Sequence, residues 1–474
     1  MSHYKNLYTV ILVFMLLGCS EDFTDLAPVS QRNVENFFQT ATDMEVAVNG
    51  IYNALQLEGT YNQSYWVMQE MRSDNTDQGN DVTGLAREMT VIEEFQEIST
   101  SNIVEAAWVD SYVGIGRANV ALNRIEAVAM DQALKDRLTG EALFLRSLFY
   151  YHLVVSFGNI PLILTETQEL DEGQDHEQVS ATAVYNQLAS DLALAEQLLG
   201  LPADTRGLGL GRANKGAAAT LLAKVHLILG NNAEAETVLR RIIDNYGYQL
   251  LPSYGDLWGE ENEHNPESIF EIEFIGGGLG RGNQFTNAFT PTTPTNGAIG
   301  VWRNRPTREM FEAYETGDLR KFASIDTSYF TVNGGDTTFF TNTENDVRFT
   351  TKFGTENPFV EGDAPNNFTV FRYADVLLML AEATGESDEA YTLINQVRNR
   401  AGLANIDAST PGTFQEKLLH ERRVELAYEN HRWADLLRFG AAEQTMVAIG
   451  KNPRLLFLVP QREIDLNDNL DQNQ

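Results

Sequence analysis

Two stretches of this sequence combine aromatic rings with short polar side chains, the mix that a sugar requires of its binder. A sugar ring offers an apolar C–H face for an aromatic side chain and hydroxyls for amides, carboxylates and guanidinium groups. The first stretch runs Tyr61-Asn-Gln-Ser-Tyr65-Trp66 and on to Arg72-Ser-Asp74-Asn75-Thr-Asp-Gln78. The second is Asn283-Gln-Phe285, continuing to Trp302-Arg303-Asn304. They supply the ligand-binding candidates Tyr65, Trp66, Asp74, Asn75, Gln78, Asn283, Phe285, Trp302 and Arg303. The competing expectation is that Trp66 and Trp302 pack into a core, as tryptophans mostly do.

A third stretch looks enzymatic at first sight. Glu421 to Gly440 carries Glu421, Glu425, Glu429 and Asp435 beside His431 and four arginines. Paired carboxylates about 5–10 Å apart would suit glycoside hydrolysis. Here, however, apolar residues recur at helical spacing and the arginines satisfy the acids as ion pairs, which makes poor general acids. His431 and Trp433 read as packed residues, and the stretch as a C-terminal helix that locks a scaffold. No catalytic residue is expected. The glycines of 276–282 lack the Gly-Lys-Ser/Thr of a phosphate cradle, and a single cysteine, Cys19, excludes a Cys-rich zinc site. There is no His-Glu-x-x-His and no Asp-x-Asp-x-Asp-Gly, so neither a metal nor a cofactor is expected.

The elements that must position these residues are mostly helical. The chain has 474 residues and a net charge of −33, from 34 basic and 67 acidic side chains, which argues against nucleic acid as a partner. Lys5 precedes an apolar run, Leu7 to Leu17, too short to span a bilayer. Its end, Leu16-Leu17-Gly18-Cys19, resembles the lipobox of bacterial lipoproteins, so residues 1–18 read as a signal peptide and 19–30 as a lipidated tether. Ser20-Glu21-Asp22 resembles the surface-export signal of Bacteroidota lipoproteins. Helical periodicity then predicts helices from Asp43 to Leu57, with Thr42 as N-cap, and over 102–128, 131–155 and 181–199. The run 213–243 reads as two helices meeting at Gly230, and Tyr373 to Arg400 as two meeting at Gly385, both resembling tetratricopeptide helix pairs. Ala390, Ile394 and Val397 take the places of Ala235, Leu239 and Ile242. Between these pairs, 247–370 reads as a loop-rich insertion with short strands, Ile269 to Ile275 among them, on a helical scaffold of about 31–246 and 371–440.

Several blocks, in order, resemble the SusD/RagB family, surface lipoproteins of Bacteroidota nutrient-uptake systems. They are Cys19 with its acidic tail; Phe37-Phe38 with Asn49-Gly-Ile-Tyr-Asn53; Arg72-Ser-Asp-Asn75; Arg117-Ala-Asn119; and Glu141 through Leu162. Then follow Lys215 to Lys224, Phe371 to Ala383, Asn395 to Gly402, the Glu421-Arg-Arg stretch, and Leu458 to Asn467. The resemblance covers nearly the whole chain; Asp468 stands where a proline is usual. It implies a mostly α fold, a tetratricopeptide-like α-α superhelix with an irregular part, over a single domain of 31–474. It also implies an outer-membrane protein, lipid-anchored at Cys19 and facing outward, that binds an oligosaccharide or, in some relatives, a peptide. Its implied partner is a SusC-type TonB-dependent transporter, and its implied site draws on loops from the two aromatic stretches. A surface glycoside hydrolase is the competing function.

Overall fold

Side-chain caps fix where the long helices begin. Helix α1 (Ala41–Ala54) starts at Thr40, whose hydroxyl accepts from the Asp43 amide while the Asp43 carboxylate accepts from the Thr40 amide. This capping box places the start two residues before the Thr42 cap expected from sequence. The side chains of Ser101, Asp131, Ser180 and Asn214 accept from first-turn amides and cap α2 (Asn102–Arg124), α3 (Gln132–Phe157), α4 (Ala181–Leu198) and α5 (Lys215–Ile228). Helix α6 (Asn232–Asn245) follows Gly230, whose φ of 73° is open to glycine at no steric cost. The computed structural model describes residues 37–473, apart from 80–82, 168–175, 206–210, 292–299, 334–335, 342–345 and 355–359. The lipobox, Cys19 and the tether lie outside the described residues.

Later in the chain come α7 (Phe285–Phe289), α8 (Tyr373–Thr384), α9 (Asp388–Arg400), α10 (Phe414–Glu425) and α11 (Arg432–Arg438). Each long helix packs on the next from α2 through α6, and α6 then packs directly on α8. The row therefore continues as though the insertion were absent, which is the stacking expected of tetratricopeptide-like pairs. Its seams are small and aliphatic. Ala223, Ala235, Leu239 and Ile242 in α5–α6, and Ala390, Ile394 and Val397 in α8–α9, are all fully buried. Truncating Leu239 to alanine would cost about 2–5 kcal/mol by loss of burial and the cavity left behind.

The stretch 421–440 departs from expectation. It is two helices, α10 and α11, with Tyr428 at φ 68° and Asn430 at φ 63° in the break. The Glu70 carboxylate enters the break and accepts from the Tyr428 and Asn430 amides at 3.0 and 3.2 Å, satisfying groups freed by the interruption. Asp435 and Arg438 pair within α11 at 2.9 Å, as the spacing suggested, but the glutamates do not pair within their helix. Glu421 meets Arg320 at 2.6 Å and Arg398 at 3.0 Å; Glu429 meets Arg372 and Lys352, both at 2.7 Å. Glu425 meets Arg320, Arg372 and Arg400. These acids point into the protein, out of reach of their helical neighbours, so their charges are matched by elements packed over them.

The strands are short: β1 (Thr76–Asp77), β2 (Ser268–Ile272), β3 (Arg305–Pro306), β4 (Ser328–Asn333), β5 (Asp336–Thr341) and β6 (Phe368–Arg372). β2 pairs with β6, joining the start of the insertion to its end and leading into α8. β4 and β5 form a hairpin. β1 pairs with β3, tying the first aromatic stretch to the second.

Candidate functional site

Most of the predicted ligand residues lie inside the protein. The Tyr65 hydroxyl bonds Ser111 at 2.7 Å and its ring stacks on His152 at 4.0 Å. Trp66 is 1% exposed, with its edge against Phe289 and its indole N–H donating to the Asn62 carbonyl. Phe285 is enclosed by Phe274, Phe289, Phe353 and Phe368. Asn283 donates to the Asn366 carbonyl and accepts from the Phe285 amide. Gln78 is buried, its amide donating to Glu93.

Asp74 and Asn75 belong to a clamp. Arg432 grips the Asp74 carboxylate with two bonds of 2.7 and 2.9 Å, and Arg423 approaches it at 3.1 Å and donates to Asn75. Burial raises the Asp74 pKa, but the two guanidinium groups outweigh it and hold the carboxyl down at about 2. Arg72 is likewise buried, paired with Glu97 at 2.9 Å and lying over the Phe457 ring at 3.7 Å. The block Arg72–Asn75 therefore joins the N-terminal half to α10 and α11. Tyr65, Trp66, Asp74, Asn75, Gln78, Asn283 and Phe285, expected as ligand contacts, are thus buried in this structure, against the expectation of exposed loop residues. His431, beside Lys224 at 3.2 Å, is driven by burial down to about 3 and is neutral, and Trp433 is fully buried.

Trp302 and Arg303 are different: both are half-buried. Trp302 has φ 53° and Asn304 φ 49°, a conformation that costs a bulky residue energy unless its surroundings impose it. They do. The amides of Val301, Trp302 and Arg303 donate to carbonyls at the end of α7 and beyond, Asn287, Thr290 and Ala288, at 2.9, 2.8 and 2.6 Å. The Asn304 side chain accepts from Thr76 at 2.6 Å, next to the β1–β3 pairing. The indole N–H of Trp302 donates to the Arg348 carbonyl at 2.8 Å, fixing the ring by its edge. Tyr329 of the hairpin lies 6.4 Å from it and stacks on Phe340 at 4.7 Å with 8° between planes. Sequence reasoning missed this pair, although Ser328 to Thr341 carries aromatics in a strand-like run that would have flagged it.

A cleft of about 270 Å³ is lined by Val301 and Arg303, the chain neighbours of Trp302, although none of the three rings lines it. Glu58 and Asn62 line it from the first stretch, Gln284 and Arg303 from the second, and Glu361 from the end of the insertion. The two stretches thus meet at this cleft. Gln284 clasps Asn62 through its own amide and its side chain, at 3.2 and 3.0 Å. Glu58 and Glu361 are exposed and make no ion pair with any described residue. Amides, two carboxylate acceptors and a guanidinium in one cleft suit the hydroxyls of a neutral polyhydroxylated ligand. Glu58 was not singled out from the sequence, because nothing marks one surface acid among 67. Among the described residues Glu263, His264 and Glu271 have donor atoms close enough to share a cation; none of them lines this cleft.

Comparison with known proteins places the chain. A family model described as "SusD family" matches residues 360–455, and one described as "Starch-binding associating with outer membrane" matches residues 22–227. SusD-like protein P2 of Formosa agariphila is 27% identical over 100% of this chain and 99% of its own length. A SusD-like protein of Bacteroides ovatus is 24% identical over 91% of this chain and 82% of its own. Among solved structures, a laminarin-binding SusD-like protein shares 29% identity with a TM-score of 0.79, covering 92% of this chain and 99% of its own. Surface glycan-binding protein A of Bacteroides thetaiotaomicron, in complex with laminarihexaose, is 22% identical with a TM-score of 0.78 over 92% of this chain and 100% of its own, a likeness of fold.

Proposed function

This chain belongs to the SusD/RagB family, and from that premise we propose that it captures a neutral oligosaccharide at the cell surface and passes it to a SusC-type TonB-dependent transporter. The observation that carries this reading is the meeting of the two aromatic stretches in a polar cleft of Asn62, Gln284, Arg303, Glu58 and Glu361, with the half-buried Trp302 between its lining residues Val301 and Arg303. Rings take the apolar faces of a sugar, and the cleft takes its hydroxyls. The net charge of −33 and the two free carboxylates disfavour an anionic glycan. Laminarin is the first ligand to test, since a relative of 29% identity is named for binding it.

Anchoring through acyl chains on Cys19, in an outward-facing tether, would hold the site beside the transporter. Modest affinity then suffices, because tethering raises the effective concentration of captured ligand at the pore. No step of bond cleavage enters this reading. The test is calorimetric titration of the soluble form with a panel of neutral and anionic polysaccharides and of peptides. We expect a neutral glycan to bind without product release, and Trp302→Ala to weaken it about tenfold, the equivalent of uncovering half an aromatic side chain. Binding of peptides alone, or of no glycan, would sink the proposal.

A further inference from the structure

A larger cleft is reached within a few residues of this site along the chain, and we infer that it is a second subsite for the same oligosaccharide, so that the unit recognised is a long chain. The inference rests on the glycan-binding reading above. One wall of this cleft, which has a volume of about 560 Å³, is the outer stripe of α1 and the turn that follows it. Asn49, Tyr52, Asn53 and Gln56 stand there at helical spacings of three and four, presenting three amides and a phenol ring in one row.

The stripe is held in place. Asn53 donates to Gln56 at 3.2 Å, and Gln56 donates to the Glu273 carbonyl on the facing wall at 2.6 Å. The Tyr52 hydroxyl accepts from the Ala213 amide at 2.8 Å, and the Arg212 guanidinium lies 5.4 Å from its ring. Opposite stands Arg281, exposed, with no ion pair or side-chain hydrogen bond to any described residue, on a protein with two acids for every base. Close approach of the walls depends on Gly211, where a Cβ would sit 2.3 Å from the Glu273 side chain.

The two clefts have no lining residue in common, but the chain passes from one to the other on both sides. Gln56 lines the larger one and Glu58 the smaller, with only Leu57 between. On the other side Arg281 lines the larger and Gln284 the smaller. The chain thus passes from the amide row to Glu58 on one side and from Arg281 to Gln284 on the other. Amides and a guanidinium line both clefts, so the two stations offer the hydroxyls of a sugar the same partners. An extended neutral oligosaccharide fits this repetition; a compact ligand would use one station only.

The test compares short and long oligomers of one glycan, laminaritriose and laminarihexaose first, on the wild type and on Arg281→Ala and Gln56→Ala. The wild type should bind the longer oligomer at least tenfold more tightly than the shorter. Each cleft variant should lose most of that advantage while holding the short oligomer as before. Arg281 is exposed and its replacement leaves the fold intact, so its result stands even if Gln56→Ala lowers stability. Trp302→Ala should weaken both oligomers alike. Equal binding of long and short oligomers, or cleft variants that keep the full chain-length advantage, overturns the second subsite and leaves the glycan-binding reading standing. A wild type that binds no glycan overturns both.

Discussion

Replacing Asp74 by asparagine should unfold the protein more easily while leaving ligand affinity of the folded fraction unchanged. The side chain keeps its shape but loses the charge gripped by Arg423 and Arg432. The carboxyl titrates at about 2 rather than the ordinary 3.8, and a tenfold change in proton affinity is worth about 1.36 kcal/mol. The difference amounts to about 2.5 kcal/mol of folding stability. Because the folded-state value is depressed, this contribution is complete above the ordinary aspartate range and disappears as pH falls through the folded value. Urea denaturation of wild type and Asp74→Asn at pH 7.5 should therefore differ by about 2.5 kcal/mol or more. Near pH 2.5 the difference should have shrunk to less than half, since the wild-type carboxyl then approaches its own titration. Equal stabilities at pH 7.5, or a gap that persists undiminished in acid, would refute the clamp. Lost glycan affinity with unchanged stability would return Asp74 to the ligand.

Three further outcomes follow from the packing. Trp66→Ala should cost about 3–5 kcal/mol in denaturation and leave binding per folded molecule intact, the converse of Trp302→Ala. Gly114→Ala places a methyl group 2.3 Å from the buried Phe149 ring, and overpacking of this kind should cost about 1–3 kcal/mol, read as a lower urea midpoint. Glu425→Ala strips the shared partner from Arg320, Arg372 and Arg400 and should destabilise by about 3–5 kcal/mol, measured in the same assay.

The helical frame was legible because it rests on local signals. Periodic apolar positions and glycine stops at 230 and 385 lie within a few residues of what they determine. Even the misplaced first cap had its cue in the sequence, since Asp43 stands three residues after Thr40, not Thr42. The site was legible as two stretches and not as residues. Trp66 and Trp302 are the same side chain in similar company; what separates them is Phe289 against one and a left-handed backbone under the other, both products of distant packing. The partners of Glu421, Glu425 and Glu429 were hidden for the same reason. Spacing along a helix says which charges are neighbours, and it cannot say which face is turned inward.

Those buried pairs bear on how far the recognition region can be exchanged. Arg320 and Lys352 come from the insertion, Arg372 from the strand that closes it, and all three discharge onto acids of α10 and the turn after it. The insertion is thus keyed to the frame beneath it. Loops transplanted from a relative to change ligand preference would leave a nest of uncompensated carboxylates unless the matching cations travelled with them. In this architecture the surface that meets the ligand can drift freely only above that ionic floor, and the floor sets the boundary of any successful graft.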